Sequence, residues 1–349
     1  MDAGGANKVT IDQVAQRCGV SKTTVSRYLN RKYENISPET RERIAQVIRE
    51  LGYRPNRSAQ RLKAARTMLI GCSIGDVSSP FAGLLLKGST GVCEAAGYQV
   101  LFADCGEDPA KERLALEGFL ENRVDGLIVN TPGGNDAFLA QLRARGVPIV
   151  LADRGMADSC GIDAAISEYD RSIRECMRLL LDCGYAHIAF FTETVGNIMP
   201  RIQRRESYQA ALRDLTGGRM QSEIFEFDPA EEGACLSCAR AFLAAHPGKR
   251  VAVLSVNGVT ARHLLVALQA LDIRTGYDFG LCTFDDWTWF KLVPPGITAV
   301  QQQTEALGAA AAQLLLKRIS GETPEGAPAS VLELPTTLCV RGSTVKERG

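Results

Sequence analysis

The chain is short of histidine, with three in 349 residues, at positions 187, 246 and 263. They stand far apart, at no metal-ligand or triad spacing, and His187 opens an apolar strand where it reads as structural. No G-x-x-x-x-G-K-[ST] phosphate loop is present, no G-x-G-x-x-G turn follows a strand, and no G-x-S-x-G elbow occurs. Without a nucleophile–base constellation, an enzyme is not expected, and neither a cofactor nor a metal is implied. Apolar runs of membrane-spanning length are also lacking, and none precedes the first predicted helix, so insertion and secretion are not expected. The eleven cysteines are an odd number scattered singly, which argues against a disulfide framework and for a reducing cytosol. Their one close pair, Cys235 and Cys238, lies in an alanine-rich helical run and reads as core packing.

Net charge is absent too, with 40 Lys+Arg balancing 40 Asp+Glu. The balance hides an asymmetry. Residues 1–66 hold 14 Lys+Arg against 6 Asp+Glu, so this head carries about +8 and the remainder about −8. A basic head on an acidic body fits a nucleic-acid reader with a second task behind it. The length exceeds one compact core and predicts two or three domains.

What is present is concentrated first in Val9–Asn30. Ile11, Val14 and Ala15 give a first helix one apolar face, with Thr10 as cap and Asp12 in its first turn. Gly19 supplies the turn, Ser21 caps a second helix, and Val25 and Leu29 point inward. Lys22, Thr23, Ser26 and Arg27 face away, the arrangement of a helix-turn-helix that offers its second helix to a DNA major groove. Ser37 and Pro38 start a third helix with the stripe Ile44, Val47, Ile48 and Leu51, ended by Gly52.

The wording Val20-Ser21-x-x-Thr24-Val25-Ser26-Arg27-x-Leu29-Asn30 resembles the lactose-repressor (LacI-type) family of bacterial transcriptional regulators. So do Ser37-Pro38-Glu39-Thr40-Arg41 and Leu51-Gly52-Tyr53-Arg54-Pro55-Asn56, and a looser likeness runs over nearly the whole chain. The resemblance implies DNA contacts from Thr10, Ser21, Lys22, Thr23, Thr24, Ser26, Arg27, Asn30 and Tyr53. Of these, Lys22, Thr23 and Arg27 are expected at the bases, and Ser21, Thr24, Ser26 and Tyr53 at phosphates. It also implies that Asn56, Ala59 and Leu62 belong to a hinge helix that forms on DNA, with Leu62 wedged into the minor groove. Gln60 stands where the family often has Arg.

From Met68 on, apolar strands alternate with amphipathic helices, which predicts parallel sheets covered on both faces and a ligand crevice at the strands' carboxyl ends. The expected fold is an N-terminal all-α helix-turn-helix head plus an α/β periplasmic-binding-protein-like core of two doubly wound parallel-sheet subdomains. The expected boundaries are 1–54 for the head, 55–67 for the hinge and 68–349 for the effector-binding and dimerisation core. Lobe 1 is placed at about 68–165 and 296–328, and lobe 2 at about 166–295 and 329–345.

The family's effector positions fall on Phe81, Arg204, Asn257 and Asp285; Asp153 and Arg154 end the fourth strand, where a ligand role and a structural one are equally suited, and Arg201 shares a helix face with Arg204. Phe81 equally suits the core, and Asp285 equally suits a turn. Three departures stand out: Ser207 for a usual Gly, Gly258 for the Asp of an N-D pair, and Ser167-Glu168-Tyr169 for V-D-N. An acceptor at Asp285 with donors at Arg204 and Asn257 suits a polyhydroxylated ligand, and further arginines suit a carboxylate. The run Asp285-Asp286-Trp287-x-Trp289, with Pro295-Gly296-Ile297-Thr298, resembles the subgroup that senses sugar acids such as ketogluconates. The expectation is a cytoplasmic homodimeric regulator, a repressor of a palindromic double-stranded DNA operator, released by a small sugar or sugar-acid effector and free of any membrane. The rivals are a sugar-acid solute-binding protein, opposed by the basic head, and a sugar-acid enzyme fused to a DNA-binding head.

Overall fold

The computed structural model describes residues 9–29, 32–53, 66–155, 161–324 and 326–345. The chain divides into two compact units, one ending at Thr67 and one beginning at Met68.

The first unit holds α1 (Ile11–Cys18), α2 (Lys22–Leu29) and α3 (Pro38–Leu51). Thr10 and Gln13 cap α1 reciprocally. The Thr10 hydroxyl accepts from the Gln13 N–H at 3.3 Å, and Gln13 Oε1 accepts from the Thr10 N–H at 2.8 Å. Gly19, at φ 64°, takes the left-handed turn that ends α1. Ser21 Oγ accepts from the Thr24 N–H at 3.1 Å and so opens α2, while Ser37 and Pro38 open α3. Val14, Ala15, Cys18, Val25, Ile44, Val47 and Tyr53 close the core. The expected hinge positions Asn56, Ala59 and Leu62, and the expected DNA contact Asn30, lie outside the described residues.

The second unit begins with β1 (Leu69–Ile74), α4 (Pro80–Ala95), β2 (Gln99–Asp104), α5 (Pro109–Glu121) and β3 (Gly126–Val129). It goes on through α6 (Asp136–Ala144), β4 (Ile149–Ala152), β5 (Asp163–Ser167), α7 (Asp170–Asp182), β6 (His187–Glu193) and α8 (Met199–Thr216). Then come β7 (Glu223–Phe227), α9 (Ala234–Ala245), β8 (Val251–Ser255), α10 (Gly258–Ala270), β9 (Phe279–Phe284) and β10 (Thr298–Gln301). The chain finishes with α11 (Thr304–Ser320), β11 (Val331–Leu334) and β12 (Thr337–Cys339).

Two six-stranded sheets result, in the orders β11-β5-β4-β3-β1-β2 and β12-β10-β9-β8-β6-β7. The first is parallel throughout; in the second only β12 runs antiparallel, against β10. Buried clusters lie on both faces of each sheet, so both lobes are doubly wound.

Strand pairing moves two of the expected lobe boundaries. Residues 296–301 belong to lobe 2, because β10 pairs with β9, and β11 belongs to lobe 1, because it pairs with β5. The second and third crossings therefore fall at about 302 and 335 rather than 295 and 328, while the first, at about 168, stays close to the expected 165. Pro294-Pro295-Gly296 is a turn inside lobe 2, not an exit from it.

Lobe 1 depends on one close approach. A Cβ on Gly88 would lie 1.9 Å from the Glu305 carbonyl oxygen, and one on Gly308 would lie 2.1 Å from that of Leu85. Helices α4 and α11 thus touch backbone to backbone, and Ser89 adds a hydroxyl bond to the Gly308 carbonyl at 3.1 Å.

Candidate functional site

The carboxyl ends of both sheets face a cavity of about 490 Å³ between the lobes. All seven residues expected at an effector line it: Phe81, Asp153, Arg154, Arg201, Arg204, Asn257 and Asp285. Phe81 both lines the cavity and packs on the lobe 1 core.

Asp153 and Asp285 hold equivalent places, each the first residue beyond a central strand, β4 and β9. Both adopt φ 65° and both are buried. Left-handed backbone is tolerable for Asp but still costs free energy, and such strain gathers at working sites. Burial pushes the Asp153 carboxyl up to about 6; Arg204 and Arg154 pull it back, and Asp285 adds to the rise. Asp285 accepts from Gln302 Nε2 at 2.5 Å and from the Gly258 N–H at 3.3 Å. Its neighbour Asp286 has a structural task, holding Arg341 through two bonds of 2.7 Å.

Arg201 and Arg204 share one face of α8 and both reach the cavity. Arg201 Nη2 donates to Glu107 Oε2 at 2.8 Å and to Glu193 Oε2 at 2.9 Å. Arg154 Nη2 takes the other Glu107 oxygen at 2.8 Å. Glu107 belongs to lobe 1 and Arg201 to lobe 2, so this carboxylate ties the lobes together. Arg204 packs against two aromatic rings, its guanidinium carbon 4.2 Å from the Phe284 centroid and 4.7 Å from that of Tyr169. Its Nη1 donates to the Val256 carbonyl at 2.9 Å. Its Nε is buried without an acceptor, and Gln302 Oε1 is buried without a donor. A donor and an acceptor left over in one cavity invite a ligand that supplies both.

Asn257, expected as a donor to the ligand, also has structural partners. Its Oδ1 caps α10 by accepting from the Thr260 N–H at 2.8 Å, and its Nδ2 donates to Glu193 Oε2 at 2.7 Å. The neighbouring Gly258 is explained by space. A Cβ there would lie 2.6 Å from the Trp287 ring, which fills the place of a side chain. Gly75 does the same for Arg154, whose Nη1 would lie 2.7 Å from a Cβ at that position. At the replaced V-D-N segment, Tyr169 donates its hydroxyl to Asp153 at 3.4 Å, and burial raises its own pKa. Ser207 donates to Asp170 and does not line the cavity.

Glu107, Glu193, Asn130 and Gln302 also line the cavity but carried no sequence signal of their own. Each ends or closely follows a strand, but the strand-end rule marks a neighbourhood and does not single out one polar residue within it.

On the head, Lys22, Thr23 and Arg27 are exposed, as is Thr10. Lys22 pairs with Asp12 at 2.9 Å on the surface, an attachment worth roughly 0–1 kcal/mol and easily exchanged for another partner. Ser21 and Thr24 bond each other at 2.9 Å, and Ser26 is half-buried. The Tyr53 ring packs in the head's core.

Two histidines prove to be neighbours. His187 and His246 stack at 3.6 Å between ring centroids, brought together by β6 and the end of α9. The thiols of Cys235 and Cys238 are free, and burial pushes Cys235 up to about 12, as inert packing requires. No described helix is long and apolar enough to cross a membrane.

Residues 10–56 match the model of bacterial regulatory proteins of the lacI family, and residues 177–344 match a periplasmic binding protein-like domain. The chain is 34% identical to the HTH-type transcriptional regulator KdgR of Bacillus subtilis, over 96% of this chain and 97% of that one. It is 36% identical to the HTH-type transcriptional regulator PtxS of Pseudomonas plecoglossicida, over 97% and 96% respectively. Its fold resembles the lac repressor dimer bound to operator and the anti-inducer ONPF, at a TM-score of 0.83 and 24% identity, over 97% of this chain and all of that one. A complex of the transcriptional regulator CelR with cellobiose is similar over 96% of this chain and 99% of its own, at a TM-score of 0.68 and 26% identity. A three-helix reader joined to a two-lobed binding core, with relatives of this identity over nearly its full length, makes the chain a member of the lacI family of bacterial transcriptional regulators.

Proposed function

We propose that the chain is a cytoplasmic, homodimeric repressor of a partly palindromic operator, and that a sugar or sugar acid in the cleft releases it. Two-fold protein symmetry would be mirrored in the operator half-sites. Lys22, Thr23 and Arg27 read bases; Thr10, Ser21, Thr24, Ser26, Asn30 and Tyr53 settle the head on the backbone. Residues 55–67 serve as the hinge, with Asn56 and Ala59 beside the wedge Leu62.

The observation that carries the effector reading is the pair of buried unmatched atoms, Arg204 Nε and Gln302 Oε1, beside the strained Asp153 and Asp285. A hydroxyl both donates and accepts, so a polyol can satisfy such a mixed set. The cavity volume suits a monosaccharide-sized molecule. Arg154 and Arg201 suit a carboxylate on that molecule, which would compete with Glu107 for them. Closure on the ligand would change the lobe arrangement that the chain enters directly after the hinge. A thermal-shift screen of sugars and sugar acids tests this reading, because a cleft ligand raises the melting temperature. A hit lost in Arg204→Ala supports the cleft as its site; hits that survive in Arg204→Ala and Asp285→Asn exclude it.

A further inference from the structure

We propose that His187, Glu223 and His246 form a binding site for a divalent transition metal of the zinc class. His187 is the first residue of β6, Glu223 the first of its parallel neighbour β7, and His246 follows the last turn of α9. The cleft lies at the other end of these strands, where Glu193 closes β6. The site is therefore separate from the effector cavity.

The three side chains converge. His246 Nε2 is 2.9 Å from both Glu223 oxygens, and His187 Nδ1 is 3.8 Å from Glu223 Oε1. The ligand atoms all lie within 4.8 Å of one another. Donors around tetrahedral zinc, at bonds of about 2.0–2.1 Å, stand roughly 3.4 Å apart, within the range of these separations. A hydrogen bond accounts for His246 and Glu223 alone. His187 Nδ1 faces the same carboxylate from beyond hydrogen-bond reach, and one ion between the three would engage all of them.

The surroundings suit a metal ligand set. The two imidazoles stack with planes 22° apart, with the edge of Phe242 5.3 Å from His246 between centroids, so one ring must swing out of the stack for both nitrogen lone pairs to meet one ion. Neutral imidazole is the form that ligates, and the Glu223 carboxylate offsets the ion's charge. Lys249, three residues beyond His246, is exposed and can turn to solvent as a cation enters. The side chains are 14–34% exposed, so an ion has a path in and a water can complete the coordination. Two histidines and a carboxylate favour zinc, nickel or copper over magnesium or calcium. Bound there, the ion would clip β6, β7 and α9 together.

The test uses the full chain stripped with a chelator, titrated with Zn²⁺ by calorimetry and with Co²⁺ by absorption. One equivalent per chain is expected, with Co²⁺ showing visible d–d bands and no strong thiolate charge-transfer band. His187→Gln and His246→Gln should each weaken Zn²⁺ by about 100-fold or more, since even outer-shell losses cost 10–100-fold. Their metal-free melting temperatures serve as the folding check, and Glu223→Gln gives a second, isosteric variant. Absence of stoichiometric uptake, uptake unchanged in both histidine variants, or a thiolate-dominated Co²⁺ spectrum would each overturn the proposal.

Discussion

Asp153 is a carboxylate kept where the fold would prefer it neutral, and Asp153→Asn should reveal the cost. Burial dominates its electrostatics, and the attraction of Arg204 and Arg154 only partly offsets it, leaving a folded pKa of about 6 against an ordinary 3.8. Between those values the folded chain holds more protons than the unfolded one, so stability falls as pH rises through that interval and levels off above 6. At 1.36 kcal/mol per pH unit, the full effect is about 3 kcal/mol. Asparagine removes the charge, tolerates φ 65°, and still accepts the Tyr169 hydroxyl through Oδ1. The variant should match the parent near pH 4 and melt roughly 4–10 °C higher at pH 7.5. It should also lose effector affinity, trading function for stability as buried site charges do. Thermal melts of both proteins from pH 4 to 7.5 supply the comparison. A variant less stable than the parent at pH 7.5 would mean that the two arginines outweigh burial, and the reasoning would fail.

Three further outcomes are expected. Gly308→Ala should drive α4 from α11 and destabilise the core by roughly 1–3 kcal/mol or more, whereas Gly118→Ala, with open space at its Cβ, should be neutral or stabilising; melting temperatures decide. Glu107→Gln should release Arg154 and Arg201 and tighten an anionic effector about five- to tenfold, leaving a neutral sugar unchanged by calorimetry. Weaker binding would instead make Glu107 a direct ligand contact. Arg27→Ala should cost roughly 1–3 kcal/mol on the operator and relax preference at one position per half-site; equal loss on random DNA would assign Arg27 to phosphate.

Much of the architecture was legible because it rests on local signals. The helix-turn-helix has caps at Thr10, Ser21 and Ser37 and a left-handed glycine at 19, all visible as residue types at fixed spacing. Central strands such as β1 and β3 are buried along their whole length and so appear as apolar runs. β5, β10, β11 and β12 are short and leave no clear strand signal in the sequence; β11 is mostly exposed, with no alternation to give it away. Missing β10 and β11 displaced the lobe crossings. Asp153, Asn257 and Asp285 were legible as polar residues just beyond apolar runs. Glu107 was not, since one of 40 acidic residues means nothing until the fold brings Arg154 and Arg201 to it. His187 and His246 were hidden for the same reason: only strand pairing and the end of α9 unite them.

Occupancy of the cleft is expected to set DNA affinity. Operator binding measured with and without a saturating cleft ligand, for the parent and for Arg204→Ala, tests it directly. A coupling of about 1–3 kcal/mol predicts a 5- to 150-fold loss of operator affinity in the parent. Arg204→Ala should bind operator as the parent does and show no response. An operator affinity unmoved by a ligand known to fill the cleft, or a normal response in Arg204→Ala, would contradict the account.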